Sequence, residues 1–171
     1  MRKNILIVDP SPKNQNYGGS TISLFDLLKS IEKKSVDIDF TVLFLYPNSF
    51  REKFINIANV RTEVLLSNVY NVNSRMQAYL VRIAKYYIFF KFLLKKSDTN
   101  LVVINSRIGS GRFAIFIAKL FRIPVVVHER LWTKNTWFNR TLGNICDLII
   151  VVSNHMKEVL VNSGINDSNI K

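Results

Sequence analysis

Cysteine and histidine are scarce in this chain of 171 residues, which has one cysteine and two histidines. The single thiol, Cys146, excludes a disulfide framework and is compatible with a reducing compartment. No cluster of cysteine and histidine occurs at ligand spacing, which excludes a structural zinc site of the usual kind.

Long hydrophobic runs and targeting signals are missing as well. The start, MRKNILIVD, is basic, but its apolar run is too short for a secretory signal and no small-residue cleavage site follows. In the most apolar segment the uncharged stretch 86–90 is too short to cross a bilayer. We therefore expect a cytoplasmic protein, and its 48% apolar content suffices for one domain spanning residues 1–171.

Acidic residues are few where basic residues are most frequent. Residues 75–140 hold 13 of the 24 lysines and arginines and only two acids, Asp98 and Glu129. A positive field concentrated in one segment indicates a polyanionic partner, which is an anionic lipid surface, a nucleic acid or a phosphorylated substrate. No nucleic-acid-binding motif is present, so nucleic acid is not the expected partner.

Short runs rich in Val, Ile and Leu alternate with longer helical patterns. The runs are apolar on both faces, as is typical of parallel strands buried between two helix layers. The predicted strands are 4–9, 40–45, 62–66, 101–105, 124–128 and 147–153, and the predicted helices are 20–34, 50–58, 75–96, 111–122 and 154–163. This order predicts an α/β fold, a Rossmann-like doubly wound parallel sheet with helices on both faces and its first strand central.

Ligands of such sheets bind beyond the carboxyl ends of the strands. After the first strand, Gly18 and Gly19 allow backbone N–H groups to approach an anion closely, although a simple turn uses the same residues. His128 ends the fifth strand, where it either touches a ligand or packs.

A second glycine pattern favours a different ligand. The segment GSGRFA (109–114) matches the Gly-x-Gly-x-x-Ala fingerprint of dinucleotide-binding sites, with Glu129 at the end of the next strand. Against this, three residues separate the pattern from its strand, and the strand is the fourth rather than the first. An NAD(P) site remains open here as an alternative.

The segment RMQAYLVRIAKYYIFFKFLLKK (75–96) is basic, aromatic and apolar on two sides. One stripe at helical spacing is predicted to pack on the sheet, and it consists of Met76, Leu80, Ile83, Tyr87, Phe90 and Leu94. A second row of apolar residues on the opposite face of the helix requires another apolar surface to cover it. That surface is either an anionic membrane or, alternatively, a dimer partner. The predicted membrane contacts are Arg82, Lys85, Lys91, Phe92, Lys95 and Lys96.

Three stretches, taken in order, carry a family resemblance. They are the first strand with Gly18, Gly19 and the helix TISLFDLLKSI, then NLVVINSRIGSGRFAIFIAKLFRIPVVVHE (100–129), then CDLIIVVSNHMKEVLVNSGINDSNIK (146–171). Together they resemble the amino-terminal domain of a GT-B fold glycosyltransferase of family 4. The resemblance covers nearly the whole chain.

This resemblance implies the acceptor-binding half of a retaining glycosyltransferase. Such an enzyme moves a sugar from a nucleotide-sugar to a saccharide acceptor, here membrane- or lipid-linked, in cell-surface polysaccharide synthesis. It implies that Gly18 and Gly19 face the donor diphosphate and that His128 contacts the transferring sugar. The implied acceptor-side residues are Asn105, Ser106, Arg107, Glu129 and Arg130. The nucleotide-sugar is a substrate, and neither a metal nor a separate cofactor is implied.

Two further expectations come from the same resemblance. Members that act on lipid carriers dock on membranes through this domain, which adds Trp132 and Trp137 of the loop RLWTKNTWFNR (130–140) as membrane contacts on the inner face of the cell membrane. The family's carboxy-terminal domain with its paired glutamates is absent, so this chain is expected to need that domain or a partner chain for catalysis. A non-catalytic membrane-binding subunit of a split transferase is the main alternative.

Overall fold

The computed structural model describes residues 2–10, 19–34, 37–66, 74–130 and 135–171, and its centre is a parallel β-sheet. The strands are β1 (Lys3–Asp9), β2 (Ile38–Phe44), β3 (Val60–Val64), β4 (Thr99–Ile104), β5 (Val125–Glu129) and β6 (Leu148–Val151). They lie in the order β3-β2-β1-β4-β5-β6, and every neighbouring pair is parallel. The predicted doubly wound sheet with a central first strand is confirmed.

Helices cover both faces of this sheet. They are α1 (Gly19–Glu32), α2 (Arg51–Ile55), α3 (Arg75–Lys95), α4 (Ile108–Leu120), α5 (Trp137–Ile145) and α6 (Asn154–Asn162). Two separate cores result, because successive side chains of a strand point to opposite faces. Leu24 and Leu28 of α1 pack with Ile7 on one face, whereas Phe89 of α3 packs with Leu6 and with α4 on the other. We call these the α1 side and the α4 side of the sheet.

α4 and α5 differ from the sequence prediction in ways that bear on the site. α4 begins at Ile108 rather than at residue 111, and its first backbone N–H is held by the side chain of Glu129. α5 is not among the predicted helices, and its first four residues belong to the segment 130–140 that the sequence analysis assigns to a loop. Its start is capped by Thr136, whose hydroxyl accepts a hydrogen bond from the N–H of Asn139 at 3.2 Å. Threonine is a favoured N-cap residue, so Thr136 could have indicated a helix start, but the segment was assigned to a loop.

The packing face of α3 is the reverse of the predicted one. Phe89 and Leu93 are its buried residues, and Phe92 stacks on Phe89 at 6.2 Å between ring centroids. The stripe predicted to pack on the sheet is exposed instead, from 38% for Phe90 to 74% for Met76. That prediction was wrong because α3 carries apolar residues nearly all round, so periodicity alone could not select the inner face. In the described parts of the chain no helix is both long and apolar enough to traverse a bilayer.

Candidate functional site

The order of the strands defines where a ligand site is expected. Consecutive strands run outward from β1 in one direction and from β4 in the other, so the order reverses between these two neighbours. Doubly wound sheets bind ligands at the carboxyl ends of the strands beside such a reversal. The residues that end β1, β4 and β5 are therefore the candidates.

Strand register places three of these residues on one side of the sheet. Asp9 shares the face of Ile7, which packs against α1. Val103 pairs with Val126, so Asn105 and His128, two residues further along β4 and β5, also point to the α1 side. The site thus lies at the carboxyl edge of the sheet, on the side of α1.

Asp9 organises the inner part of this edge. Its carboxylate is fully buried and accepts hydrogen bonds from the Thr21 hydroxyl at 2.9 Å and from the Asn105 amide at 3.4 Å. The same amide donates to the backbone oxygen of Ser20 at 3.2 Å. These bonds fix the start of α1 against β1 and β4. In the sequence Asp9 is only the last residue of a predicted strand, since its partners become apparent only in the folded chain.

His128 is half-buried and is held by Arg130. The Nε and Nη2 atoms of Arg130 lie 3.2 and 3.0 Å from Nδ1 of His128. A guanidinium group has no acceptor, so Nδ1 must accept the hydrogen bond and the neutral ring carries its proton on Nε2. Burial lowers the pKa of His128, and the positive charge of Arg130 lowers it further. His128 is therefore a neutral imidazole at pH 7 with one N–H group to donate.

Arg130 lies between His128 and the buried acid. Burial lowers the pKa of Arg130, and the carboxylate of Asp9 acts in the opposite direction. The guanidinium keeps its charge, because its ordinary pKa is far above neutrality. The site consequently combines a fixed positive charge with a neutral hydrogen-bond donor.

Gly19 starts α1 at the same edge. A Cβ atom built on Gly19 meets no atom of the described residues within 4 Å, so their packing does not require glycine at this position. Open space next to a backbone at a helix start is what a closely approaching anion needs. Gly18, the other glycine of the predicted pair, lies outside the described residues.

Two of the predicted acceptor contacts are internal. Asn105 is 3% exposed and is engaged by Asp9 and Ser20. Glu129 is fully buried on the α4 side, where Oε2 accepts the N–H of Ile108 at 2.7 Å. The prediction that these two side chains contact the acceptor is corrected: they hold the starts of α1 and α4.

Ser106 and Arg107 form the loop between β4 and α4. The backbone oxygen of Ser106 accepts the N–H of Arg130 at 2.9 Å, which continues the pairing of β4 with β5 past the strand ends. Arg107 is exposed at the amino-terminal end of α4. These two predicted acceptor-side residues lie at the open edge of the sheet.

The second glycine pattern has a packing role. Gly109 and Gly111 lie inside the first turn of α4, not in a turn before it. A Cβ atom on Gly111 would lie 2.5 Å from Cγ2 of Ile104, so glycine is needed there for α4 to pack on β4. The pattern is explained without a dinucleotide.

The predicted membrane contacts have different surroundings in the structure. Lys91 and Lys95 are exposed beside the apolar stripe of α3, and Trp137 is 70% exposed at the start of α5. Phe92 is instead packed against the core, which corrects its assignment as a membrane contact. Lys96 pairs with Glu63 at 3.1 Å. Arg82 and Lys85 line a cavity beside α4, and Trp132 lies outside the described residues.

Comparison with known proteins supports the fold. No protein-family model matches the sequence, and no curated protein matches it. The structure resembles the lipopolysaccharide outer core galactosyltransferase WaaB with a TM-score of 0.72 and 16% identity, over 98% of this chain and 44% of WaaB. It resembles Anabaena HepE, solved in complex with UDP-glucose, with a TM-score of 0.67 and 14% identity, over 98% of this chain and 42% of HepE.

A third similar structure is the UDP-GlcNAc 2-epimerase of Methanocaldococcus jannaschii, with a TM-score of 0.62 and 17% identity, over 99% of this chain and 44% of the epimerase. The chain spans less than half the length of each of these three proteins. At such identities the likeness shows the fold, which is one Rossmann-like half of a GT-B protein.

Proposed function

We propose that this chain is the acceptor-binding half of a retaining glycosyltransferase that transfers a sugar from a nucleotide-sugar to a membrane- or lipid-linked saccharide. The observation that carries the proposal is the arrangement at the α1-side edge of the sheet. Gly19, unobstructed at the start of α1, lies at the same edge and on the same side as His128. The similarity to WaaB and HepE supports the reaction class.

The chemistry of these two positions suits glycosyl transfer. The N-terminus of a helix attracts a diphosphate through its backbone N–H groups and its dipole, and at α1 the oxygens approach closely only if no side chain projects from Gly19. His128 donates its Nε2–H to the transferring sugar. Positive charge develops at the anomeric carbon during glycosyl transfer, and a neutral imidazole does not repel it as an imidazolium would. The depressed pKa of His128 keeps the ring in that neutral form.

The exposed surface of α3 supports a membrane-bound acceptor. Its stripe of six apolar side chains is exposed, and Lys91 and Lys95 lie beside it. Amphipathic helices of this composition lie in the interface of anionic bilayers, with apolar groups in the acyl boundary and lysines at the phosphates. In this arrangement the protein is peripheral on the inner face of the cell membrane. The second half of a GT-B enzyme, in the same or another chain, holds most of the nucleotide-sugar.

The test is a transfer assay on the complete two-half enzyme with a panel of nucleotide-sugars and extracted membrane lipids as acceptors. We expect Gly19→Val to abolish transfer and His128→Ala to lower turnover by about 100-fold, as is usual when one transition-state donor is lost. His155, exposed in the first turn of α6, provides a matched control, and His155→Ala should keep full turnover.

Several outcomes would contradict the proposal. Wild-type turnover in a folded Gly19→Val enzyme would mean that Gly19 has no role in donor binding. The fold is shared with sugar-nucleotide epimerases, so the donor must also be followed by chromatography. Epimerisation of the donor without transfer would replace the proposed reaction. Lipid binding without any donor-dependent reaction would favour a non-catalytic subunit.

A further inference from the structure

A cationic cavity lies on the α4 side of the sheet, between α3, the first turn of α4 and α5. Its volume is about 350 Å³, which is within the range of about 300–1,000 Å³ for small-molecule sites. Its polar lining includes Arg82, Lys85, Tyr86, Arg107, Arg112 and Asn139. No acidic side chain is among the described residues that line it.

Within the described parts of the chain, three of the four cations in this cavity have no ion-pair partner. Arg82, Lys85 and Arg112 form no salt bridge with any described residue. Arg112 is positioned by a neutral group instead, since its Nε donates to Oδ1 of Asn139 at 2.7 Å. Glu129 is near the same helix start but is fully buried beneath it. Like charges around one cavity repel one another, so a bound anion would stabilise this arrangement.

The donors in the cavity select the type of anion. Guanidinium groups match phosphate oxygens through two parallel hydrogen bonds, and lysine adds a mobile point charge. Burial raises the pKa of Tyr86, although Arg112 lowers it, so its phenol remains a hydrogen-bond donor. Four cations need more oxygens than one carboxylate offers. A phosphate or diphosphate group supplies them.

The cavity adjoins the carboxyl edge of the sheet through Arg107, and its wall includes residues of α3, the helix that carries the apolar stripe. Arg107 of its wall follows Ser106, whose backbone oxygen accepts the N–H of Arg130 beside His128. α3 measures about 31 Å, compared with about 20 Å for β4, so its first turns extend past the carboxyl edge of the sheet. Arg82 precedes the stripe residue Ile83 on α3, and Ile83 is half exposed.

The geometry points to this cavity as the binding site for the phosphate or diphosphate group of the acceptor. A group bound there places a lipid tail along the stripe of α3 and the acceptor saccharide toward Arg107 and the edge of the sheet. This assignment rests on the proposed function for the identity of the ligand, but the cavity and its charges are independent of it.

Titration of the chain with inorganic pyrophosphate by isothermal calorimetry tests the site directly. We expect saturable binding that falls by about tenfold or more in Arg82→Gln/Lys85→Gln and also in Arg107→Gln, because each change removes charged hydrogen bonds. The matched control is Lys33→Gln/Lys34→Gln, two exposed lysines after α1 on the other side of the sheet, which should bind as wild type. Circular dichroism verifies folding. Absence of saturable binding, or an equal loss in the control, overturns the assignment.

Farnesyl diphosphate, which carries a lipid chain, distinguishes a lipid-linked diphosphate from a soluble phosphorylated acceptor. Binding tighter than that of pyrophosphate, with the gain removed by Leu80→Gln, supports a lipid-linked diphosphate, whereas equal binding of both supports a soluble phosphorylated acceptor. Transfer measured in the complete enzyme separates this assignment from the proposed function. Full transfer activity in Arg82→Gln/Lys85→Gln overturns the acceptor role of the cavity, while normal pyrophosphate binding without any transfer contradicts only the proposed function.

Discussion

The Arg130 side chain gives His128 its chemical character. It occupies Nδ1 of the ring with hydrogen bonds at 3.0 and 3.2 Å, and it places a positive charge next to a partly desolvated imidazole. Both effects oppose protonation of the ring, and the first also fixes the tautomer. These two effects can be separated by changing one residue.

We predict that Arg130→Met raises the pKa of His128 without restoring it fully, because burial, the larger cause, remains. With a folded-state pKa below the unfolded value of about 6.5, the unfolded state binds the proton first as the pH falls. The stability of the wild type therefore decreases as the pH falls from about 6.5 toward the pKa of the folded protein, and Arg130→Met should reduce this loss.

The measurement is a pH titration of the imidazole ¹H and ¹⁵N signals by NMR, with thermal unfolding at each pH. The ¹⁵N shifts also report the tautomer, which should be Nε2–H in the wild type. An unchanged titration midpoint in Arg130→Met, or an Nδ1–H tautomer in the wild type, would refute this account of the pair.

Residue type and position in the chain were enough to place His128 and Gly19 at the edge of the sheet. They were not enough to separate inward-facing polar residues from outward-facing ones. Asn105 and Glu129 lie at the ends of buried strands just as His128 does. However, the Asn105 amide donates a hydrogen bond to Asp9, and the Glu129 carboxylate accepts one from the N–H of Ile108. That difference depends on which helix start lies beside each strand end, and the sequence pattern contains no such information.

At the scale of single elements, α3 and α4 show that neither an apolar stripe nor a glycine pattern can be interpreted without the contacts of the folded chain. The apolar stripe of α3 has regular helical spacing, yet the inner face is chosen by aromatic partners such as Phe113, which contacts Phe89 at 5.3 Å between ring centroids. The glycine pattern of α4 resembles a phosphate-binding turn, yet it serves close packing. Both outcomes depend on contacts between elements far apart in the sequence.

The packing role of Gly111 predicts a destabilising Gly111→Ala variant. The new methyl group meets Cγ2 of the fully buried Ile104 at 2.5 Å. Overpacking of this kind costs about 1–3 kcal/mol, which exceeds the roughly 0.5–1 kcal/mol that alanine gains over glycine in a helix. The free energy of unfolding, measured in urea, should fall. Gly19→Ala is the control and should leave it unchanged or slightly higher, since its methyl group has open space. Equal stability of the two variants would count against the packing role.

For the whole molecule, the sequence pattern predicted a parallel sheet with its first strand central, because parallel strands and right-handed crossovers leave few arrangements. After β3, helix α3 returns the chain to the middle of the sheet, where β4 pairs with β1. The later strands are added in the opposite direction, so right-handed connections place α4 and α5 on the opposite side of the sheet from α1. The basic segment 75–140 includes α3, α4 and the start of α5, so its positive charge is concentrated on the α4 side. In the proposed function, the α1-side edge faces the donor and the α4 side provides the cationic surface.

This asymmetry predicts binding to vesicles that contain phosphatidylglycerol but not to vesicles of phosphatidylcholine alone, measured by sedimentation. Each lysine near an anionic surface contributes about 1 kcal/mol, so Lys91→Gln/Lys95→Gln should weaken binding by roughly thirtyfold. Salt should release the protein, because the screening length falls from about 10 Å at 0.1 M to about 3 Å at 1 M. Lys33→Gln/Lys34→Gln removes the same charge from the α1 side and should bind as wild type, since those lysines face away from the membrane. If both double variants lost binding equally, the attraction would come from net charge rather than from a defined face, and α3 would not be the docking element.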